Sequence, residues 1–420
     1  MKNRLLERFL DYVRVDTQSD PASSACPSTP GQIELQTRLH AELIELGAAD
    51  VTLTEHGYVL ATIPATSKRA KLPTIAFLGH VDTAPDFSGA NVRPVVHRAY
   101  DGGPIRFPDN PRLVLDAAAA PELPGAKGKD VITASGASLL GADDKAGVAV
   151  VMTFAERLLR DRTIPHGPIR VVFTPDEEIG RGVDKLDLKQ VDARAAYTLD
   201  GSTAGEICWA TFSGDAARVE IEGVSTHPGE AKGKGMVNAL HLAAKLLAAL
   251  PREHCCPETT SGVEGYIHPL QAEGKVERAV VRFILRDFEL EGLAAKRAIL
   301  KGLVRGLQAA EPRARISCQF RKQYRNMAYW LRDDMRPVEL ARAAIKAAGL
   351  EPLEQPIRGG TDGSRLTELG LPTPNLFCGA HNLHGPLEWV ALQDMELAVE
   401  TCVGLARLWE GDGAASKRRR

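Results

Sequence analysis

The chain has 420 residues, of which 44% are apolar and 25% are charged, and its formal net charge at pH 7 is −2. This length suits two or more domains, or one domain with a large insertion. The balanced charge gives no sign of a nucleic-acid or membrane surface, no apolar run is long enough to span a bilayer, and the N-terminal segment lacks the apolar core of a secretory signal.

The cysteines number seven and show no C-x-x-C spacing, and Cys255 and Cys256 are adjacent. An odd set without metal-binding or redox spacing is typical of reduced, mostly structural thiols. We therefore expect a cytoplasmic protein.

The first half of the chain alternates predicted helices and strands. Helices are predicted at 33–46 and 148–159, and strands at 75–78 and 169–173. This alternation favours a largely parallel sheet covered by helices. Residues 101–129 are rich in Pro, Gly and Ala, and we expect a long surface excursion there.

His80 and Asp82 directly follow the first of these strands. Side chains two apart on extended backbone lie on the same side, and a metal-bound histidine usually gives its other ring nitrogen to a carboxylate. The pair therefore suits a metal ligand with its orienting partner, although a hydrogen-bonded surface pair has the same pattern.

Two acidic pairs come next along the chain. Asp143 and Asp144 come just before the helix predicted at 148–159. Capping the start of that helix is an alternative role for them. Glu177 and Glu178 follow the strand at 169–173. Since neighbouring side chains point in different directions, one glutamate could bind a metal while the other transfers a proton. A solvated acidic turn is the alternative.

Asp200 ends a further short strand, and the sequence changes its texture soon afterwards. From about residue 211 the segments follow the order β-α-β-β-α-β, with strands at 217–222, within 275–287 and at 315–320, and helices at 236–250 and 293–309. This order predicts an inserted ferredoxin-like α+β domain.

After the insertion the helix and strand pattern returns and brings two histidines, His381 and His384, behind a strand near 374–377. A site built with either histidine draws on residues before and after the insertion. The predicted domains are therefore a catalytic domain in two parts, 1–210 and 326–412, an inserted domain at 211–325, and a disordered tail at 413–420.

The candidate residues share one position, the carboxyl end of a predicted strand, where open α/β sheets bind their ligands. Imidazole and carboxylate groups together suit zinc, with cobalt or manganese as alternatives. A carboxylate that bridges two ions, with further ligands for each, would make a two-metal hydrolytic site.

In this order and spacing, the motifs resemble those of the metallopeptidase M20 family. The resemblance runs from about residue 5 to about residue 408 and is carried by YVRVDTQSDPAS at 12–23, HVDTAPDFSG at 80–89, TPDEEIG at 174–180 and RGGTDG at 358–363. It implies a zinc-peptidase-like mixed sheet with flanking helices and an inserted lid or dimerisation domain.

The resemblance also implies a role for each residue. It assigns His80 and Asp200 to one zinc ion, Glu178 and His384 to the other, and Asp143 to both. His384 is chosen because Asn382-x-His384-Gly385 matches the family motif, whereas His381 stands where the family usually has an aromatic residue. Asp82 would orient His80, Glu177 would be the general base, and the Asp143–Asp144 peptide would be cis. Substrate contacts are implied for His227, Arg286 and Arg358.

The implied activity is that of a di-zinc aminopeptidase, which releases the N-terminal residue of tripeptides through a metal-bridging water activated by Glu177. Small peptides would be its substrates, and a homodimer could form through the inserted domain. The alternatives are another hydrolase of the same family, such as a dipeptidase, a carboxypeptidase or an N-acyl amino acid deacylase, and a non-catalytic metal-binding protein.

Overall fold

The structure is a computed structural model that describes the backbone of residues 2–415. The tail predicted at 413–420 lies outside these residues from position 416 onward; the last helix ends at Ala415. Among the described residues, no helix is both long and apolar enough to cross a membrane.

The helices and strands are as follows. The helices are α1 (Lys2–Tyr12), α2 (Pro30–Leu46), α3 (Ala142–Arg160), α4 (Leu188–Val191), α5 (Ala231–Lys234), α6 (Ala239–Ala248), α7 (Leu290–Ala310), α8 (Ala328–Leu331), α9 (Arg336–Ala347), α10 (Asp362–Glu368) and α11 (Leu392–Ala415). The strands are β1 (Ala49–Leu53), β2 (Val59–Ile63), β3 (Ile75–His80), β4 (Val95–His97), β5 (Ile105–Phe107), β6 (Asn110–Leu115), β7 (Val131–Thr133), β8 (Ile169–Thr174), β9 (Ala195–Gly201), β10 (Glu206–Cys208), β11 (Ser213–Glu222), β12 (Tyr266–Gly274), β13 (Arg278–Asp287), β14 (Arg315–Tyr324), β15 (Leu353–Glu354), β16 (Asn375–Phe377), β17 (Ala380–His381) and β18 (Trp389–Ala391).

The chain divides into two compact units. The first contains the described residues up to Trp209, Tyr329–Gln355, and the described residues from Thr361 onward. The second contains Ala210–Ala328 and Pro356–Gly360. The first unit is therefore discontinuous in sequence.

The first unit is built on an eight-stranded mixed sheet with the order β1-β2-β8-β3-β9-β16-β10-β15. Its centre is parallel, because β3 pairs in parallel with both β8 and β9. All six residues of β3 are buried, as expected for a strand covered on both faces. Helix α3 packs here, with the Phe154 ring 4.7 Å from that of Phe77.

A smaller sheet in the same unit has the order β17-β18-β7-β4. Strands β17 and β18 pair antiparallel, so residues 382–388 form the loop of a hairpin. The His381 ring stacks on the Trp389 ring at 4.3 Å across this pair. His381, which the resemblance places where the family usually has an aromatic residue, thus makes a ring-stacking contact.

The second unit has its own hydrophobic core and a four-stranded antiparallel sheet with the order β12-β13-β11-β14. Helices α6 and α7 pack on this sheet. The element order β11-α6-β12-β13-α7-β14 is the predicted ferredoxin-like order, apart from the short α5 before α6. The predicted mixed α/β fold class is confirmed.

The structure departs from the predicted elements in three places. Helix α3 extends back to Ala142 rather than beginning near 148, with non-helical backbone angles at Asp143 and Asp144. Residues 101–129 contain the β5–β6 hairpin and bury Phe107, Leu115 and Leu123 in a small core. Strand β12 ends at Gly274, whereas the sequence predicts the strands of this region only from residue 275 onward. Short or Pro-interrupted strands lack a clean period of two, which is why the sequence pattern misses them.

Candidate metal centre

Three neighbouring strands bring the first group of side chains to one edge of the large sheet. His80 is the last residue of β3, Asp200 lies near the end of β9, and Glu177 and Glu178 form a short 3₁₀ turn after β8. Because these strands are parallel neighbours, their carboxyl ends lie side by side.

The remaining two ligand candidates come from segments attached to the small sheet. Asp143 follows the loop that leaves β7, and His384 lies in the β17–β18 hairpin loop. The backbone of His384 is left-handed, with φ = 63°.

Asp143 lies between the two histidines. Its Oδ1 is 3.0 Å from His80 Nε2, and its Oδ2 is 3.3 Å from His384 Nε2. Asp200 Oδ1 is 3.7 Å from the same His80 nitrogen, and Glu178 Oε2 is 3.0 Å from the same His384 nitrogen. The five residues thus form two overlapping groups that share Asp143.

The site concentrates negative charge in a buried place. Burial and the neighbouring Asp143 raise the pKa of Glu178 to about 8 and that of Asp200 to about 6. Hydrogen bonds with Asp143 and Glu178 raise the pKa of His384 to about 11. Burial opposes the charge of Asp143, yet contacts with both histidines hold its pKa below the ordinary value. Clustered carboxylates of this kind require positive charge nearby.

The residues present fit a metal pair. Glu178 Oε1 is buried and has no hydrogen-bond partner in the described structure. Two sets, His80 with Asp143 and Glu178 and His80 with Asp144 and Asp200, each offer ligand atoms within 4.8 Å of one another. Mixed imidazole and carboxylate donors are those that zinc accepts.

Asp82 supports both His80 and the glutamate turn. His80 Nδ1 lies 3.1 Å from the Asp82 carbonyl oxygen and 3.4 Å from its Oδ1. The same carboxylate accepts the backbone N–H groups of Glu177 at 2.9 Å and Glu178 at 3.1 Å. Asp82 therefore contacts both His80 and the glutamate turn, whereas the sequence predicts only that it orients His80.

The environment of Glu177 suits a group that exchanges a proton. Burial is the main cause that raises its pKa well above the ordinary value, and the charges of Asp200 and Asp362 act in the same direction. A general base is most effective when its pKa lies near the working pH.

Asp176, which the sequence analysis overlooks, anchors the turn from the other side. Its buried carboxylate accepts the Ser28 N–H at 2.9 Å, the Ser28 hydroxyl and the Gln32 side-chain amide. Its own N–H donates to Gln32 Oε1 at 3.0 Å. An isolated aspartate has no spacing signal, so only its place beside Glu177 points to this role.

Two further buried carboxylates, Asp144 and Glu388, hold the backbone around the candidate ligands, a role that the sequence does not predict for either. Asp144 accepts the N–H groups of His80 and Gly147, each at 3.1 Å, and the Asp143–Asp144 peptide is cis, as the resemblance implies. Glu388 accepts three backbone N–H groups from residues 140–143. On the exposed side, Asp86 Oδ2 lies 3.5 Å from His384 Nδ1.

The three predicted substrate-binding residues all lie in the second unit. His227 accepts the Gly229 N–H at 3.2 Å. Arg286 donates to Gln323 Oε1 at 2.8 Å and lies over the Tyr324 ring. Arg358 donates to the carbonyl of Gly262 at 2.8 Å and to Thr260, and it lies over the rings of Phe212 and Tyr266.

Comparison with known proteins agrees with this geometry. Residues 128–408 match the description of "Peptidase family M20/M25/M40". The chain is 44% identical over 410 residues to peptidase T of Geobacillus thermodenitrificans, which covers 98% of this chain and 99% of that protein. The chain therefore belongs to peptidase family M20, and peptidase T is the member that its sequence resembles over nearly its full length.

Solved structures show the same fold. The aminopeptidase PepT of Bacillus cereus superposes with a TM-score of 0.73 at 24% identity, covering 97% of this chain and 98% of that one. A tripeptidase of Staphylococcus aureus superposes with a TM-score of 0.76 at 21% identity, covering 98% and 99%.

Proposed function

We propose that the protein is a di-zinc aminopeptidase that releases the N-terminal residue of tripeptides. The observation that carries the proposal is the position of Asp143, one oxygen of which faces His80 and the other His384. Similarity over nearly the full length to peptidase T supports the substrate class.

In this proposal His80 and Asp200 would hold one ion, Glu178 and His384 would hold the other, and Asp143 would serve both. Cobalt or manganese could replace zinc, since the donors are the same imidazole and carboxylate groups. The ions would polarise the scissile carbonyl and make water a stronger acid at neutral pH.

Glu177 is the general base. It accepts a proton from the attacking water and returns it to the leaving amino group, and burial raises its pKa well above the ordinary value of a glutamate. Asp82 positions both partners, because it contacts the ring of His80 and the N–H of Glu177.

The second unit supplies the proposed substrate contacts. His227 would assist the oxyanion, and Arg286 and Arg358 would bind the peptide. A guanidinium binds a C-terminal carboxylate with two parallel hydrogen bonds and so measures peptide length. To bind the substrate in this way, Arg358 would have to give up its hydrogen bonds to Gly262 and Thr260. A homodimer through this unit is part of the same proposal.

Turnover of matched substrates tests the function. We expect the zinc-loaded protein to cleave a free tripeptide from its amino end, and kcat/KM to fall by about tenfold or more for the C-terminally amidated tripeptide, because an arginine–carboxylate contact is then missing. Preference for a dipeptide or an N-acetyl amino acid would identify another hydrolase of the family. Metal binding without any turnover would identify a non-catalytic protein.

A further inference from the structure

Glu388 is a buried carboxylate that none of the proposed roles uses. It directly precedes β18, at the base of the hairpin whose loop carries His384, and it is 1% exposed. A buried charge is costly unless hydrogen bonds compensate it. Its partners therefore show what it does.

All three partners are backbone N–H groups of one loop. Glu388 Oε2 accepts from Leu140 and Gly141, each at 2.7 Å, and Oε1 accepts from Asp143 at 2.9 Å. Hydrogen bonds to an ionised acceptor are roughly twice as strong as neutral ones. The carboxylate thus holds the segment that ends in the shared ligand.

These bonds join two segments that are distant in sequence. The hairpin carries His384, and the loop carries Asp143, whose Oδ2 lies 3.3 Å from His384 Nε2. Since Asp143 also faces His80, a displacement of its backbone would change the ligand geometry around both ions.

We propose that Glu388 is a positioning residue, which fixes the bridging Asp143 relative to the hairpin that carries His384. The inference rests on the metal pair of the proposed function. It predicts that loss of the Glu388–Asp143 bond weakens metal binding while the fold is kept.

Glu388→Gln separates these two effects. Glutamine keeps the volume but has a single acceptor oxygen. Because Oε2 serves two donors and Oε1 serves one, we expect the oxygen to remain with Leu140 and Gly141. The side-chain NH₂ group then faces the Asp143 N–H, and that bond alone is lost.

The experiment is a calorimetric titration of the chelator-treated protein with Zn²⁺, together with Co²⁺ absorption spectra and thermal unfolding of the metal-free form. We expect two ions per chain in the original protein and affinity about 10–100-fold weaker in E388Q, the usual effect of losing a partner behind the ligands. The Co²⁺ spectrum should change, while the metal-free unfolding temperature stays close to that of a matched control.

Asp130→Asn is that control, because Asp130 is also buried and accepts a backbone N–H, that of Ala99 at 3.0 Å. It should bind metal as the original protein does. If metal-free E388Q does not fold, Glu388→Asp, which keeps the charge but shortens the reach, takes its place in the same titration.

Unchanged affinity and spectra in a folded Glu388 variant would overturn the inference, and so would failure of both variants to fold, which would make the residue purely structural. If the original protein binds no metal pair, the proposed function fails instead, and the two failures are distinguishable.

Discussion

Glu177 and Glu178 are adjacent in the chain but have different surroundings. Glu178 Oε2 contacts His384 Nε2 at 3.0 Å, and its Oε1 is buried without a partner. The backbone N–H groups of both glutamates donate to the Asp82 carboxylate. This difference supports the proposed roles, in which Glu178 is a metal ligand and Glu177 transfers the proton.

We expect Glu177→Ala to keep both metal ions and to lower kcat by about 10²–10⁴-fold, the usual contribution of a general base. Glu178→Ala should lose metal, since it removes a ligand. Metal content by elemental analysis and kcat at saturating zinc measure the two effects. Equal loss of metal from both variants would contradict this division of roles.

The candidate ligands could be selected from the sequence mainly through its resemblance to a family, because single motifs such as His80-x-Asp82 are common. Their convergence depends on parallel strand neighbours, which no local pattern specifies. Asp176 and Glu388 were missed, and Asp144 was considered only for helix capping, because the groups that they hold lie far away along the chain. Such contacts leave no residue spacing to detect.

At the scale of elements, the turn after β8 is held by a second anchor. Asp176 connects it to Ser28 and Gln32 at the start of α2. Arg181, after the turn, donates to the carbonyl oxygens of Ser23 at 2.7 Å and Asp20 at 3.3 Å. Residues 20–28 are thus hydrogen-bonded to residues on both sides of the turn after β8.

Asp176→Ala should lower the free energy of unfolding by about 1–3 kcal/mol, because it leaves the buried Ser28 N–H without its acceptor. Urea unfolding measures the change. The exposed Asp20 offers a matched control, and Asp20→Ala should stay within about 0.5 kcal/mol. Equal changes in the free energy of unfolding for the two substitutions would show that the buried Asp176 carboxylate contributes no more stability than an exposed one.

In the β17–β18 hairpin, the buried His381 should make the stability of the protein depend on pH. Burial lowers the pKa of His381 below its ordinary value, whereas the unfolded chain titrates near pH 6.5. Below about pH 6.5 the unfolded state therefore binds more protons than the folded state. Stability is lost as the pH falls from 6.5 toward the folded pKa.

His381→Phe keeps a ring against Trp389 but cannot bind a proton. We expect its advantage in unfolding temperature over the original protein to grow as the pH falls from about 7.5 to about 5.5. Both metal-free proteins are compared by thermal unfolding. His381→Gln should show the same pH trend at lower stability, and a difference that is constant with pH would rule the mechanism out.

Element prediction succeeded for a long helical pattern and for short, mainly apolar runs. Helix α2 and strands β3, β8 and β9 lie within a few residues of the predicted positions. The extension of α3 back to Ala142 was missed, and it is irregular, since Asp143 and Asp144 within it have non-helical backbone angles. The β5–β6 hairpin was missed because its composition is that of a loop.

At the scale of the whole molecule, the proposed metal ligands all lie in one of the two units. His80, Asp143, Glu178, Asp200 and His384 all belong to the first unit, which gathers them from both sides of the insertion. The second unit has its own sheet and core. Metal binding should therefore stabilise the first unit selectively.

Hydrogen exchange of the metal-free and zinc-loaded forms measures this selectivity. A ligand at 100 times its Kd adds about 2.7 kcal/mol, so amides of β3, α3 and β18 that exchange through unfolding should slow by up to about 100-fold. Amides of β11 and β13 should change little, since no proposed ligand lies in their unit. Equal protection of both sets would show that the units unfold as one, and no protection in either would remove the metal pair from the account of stability.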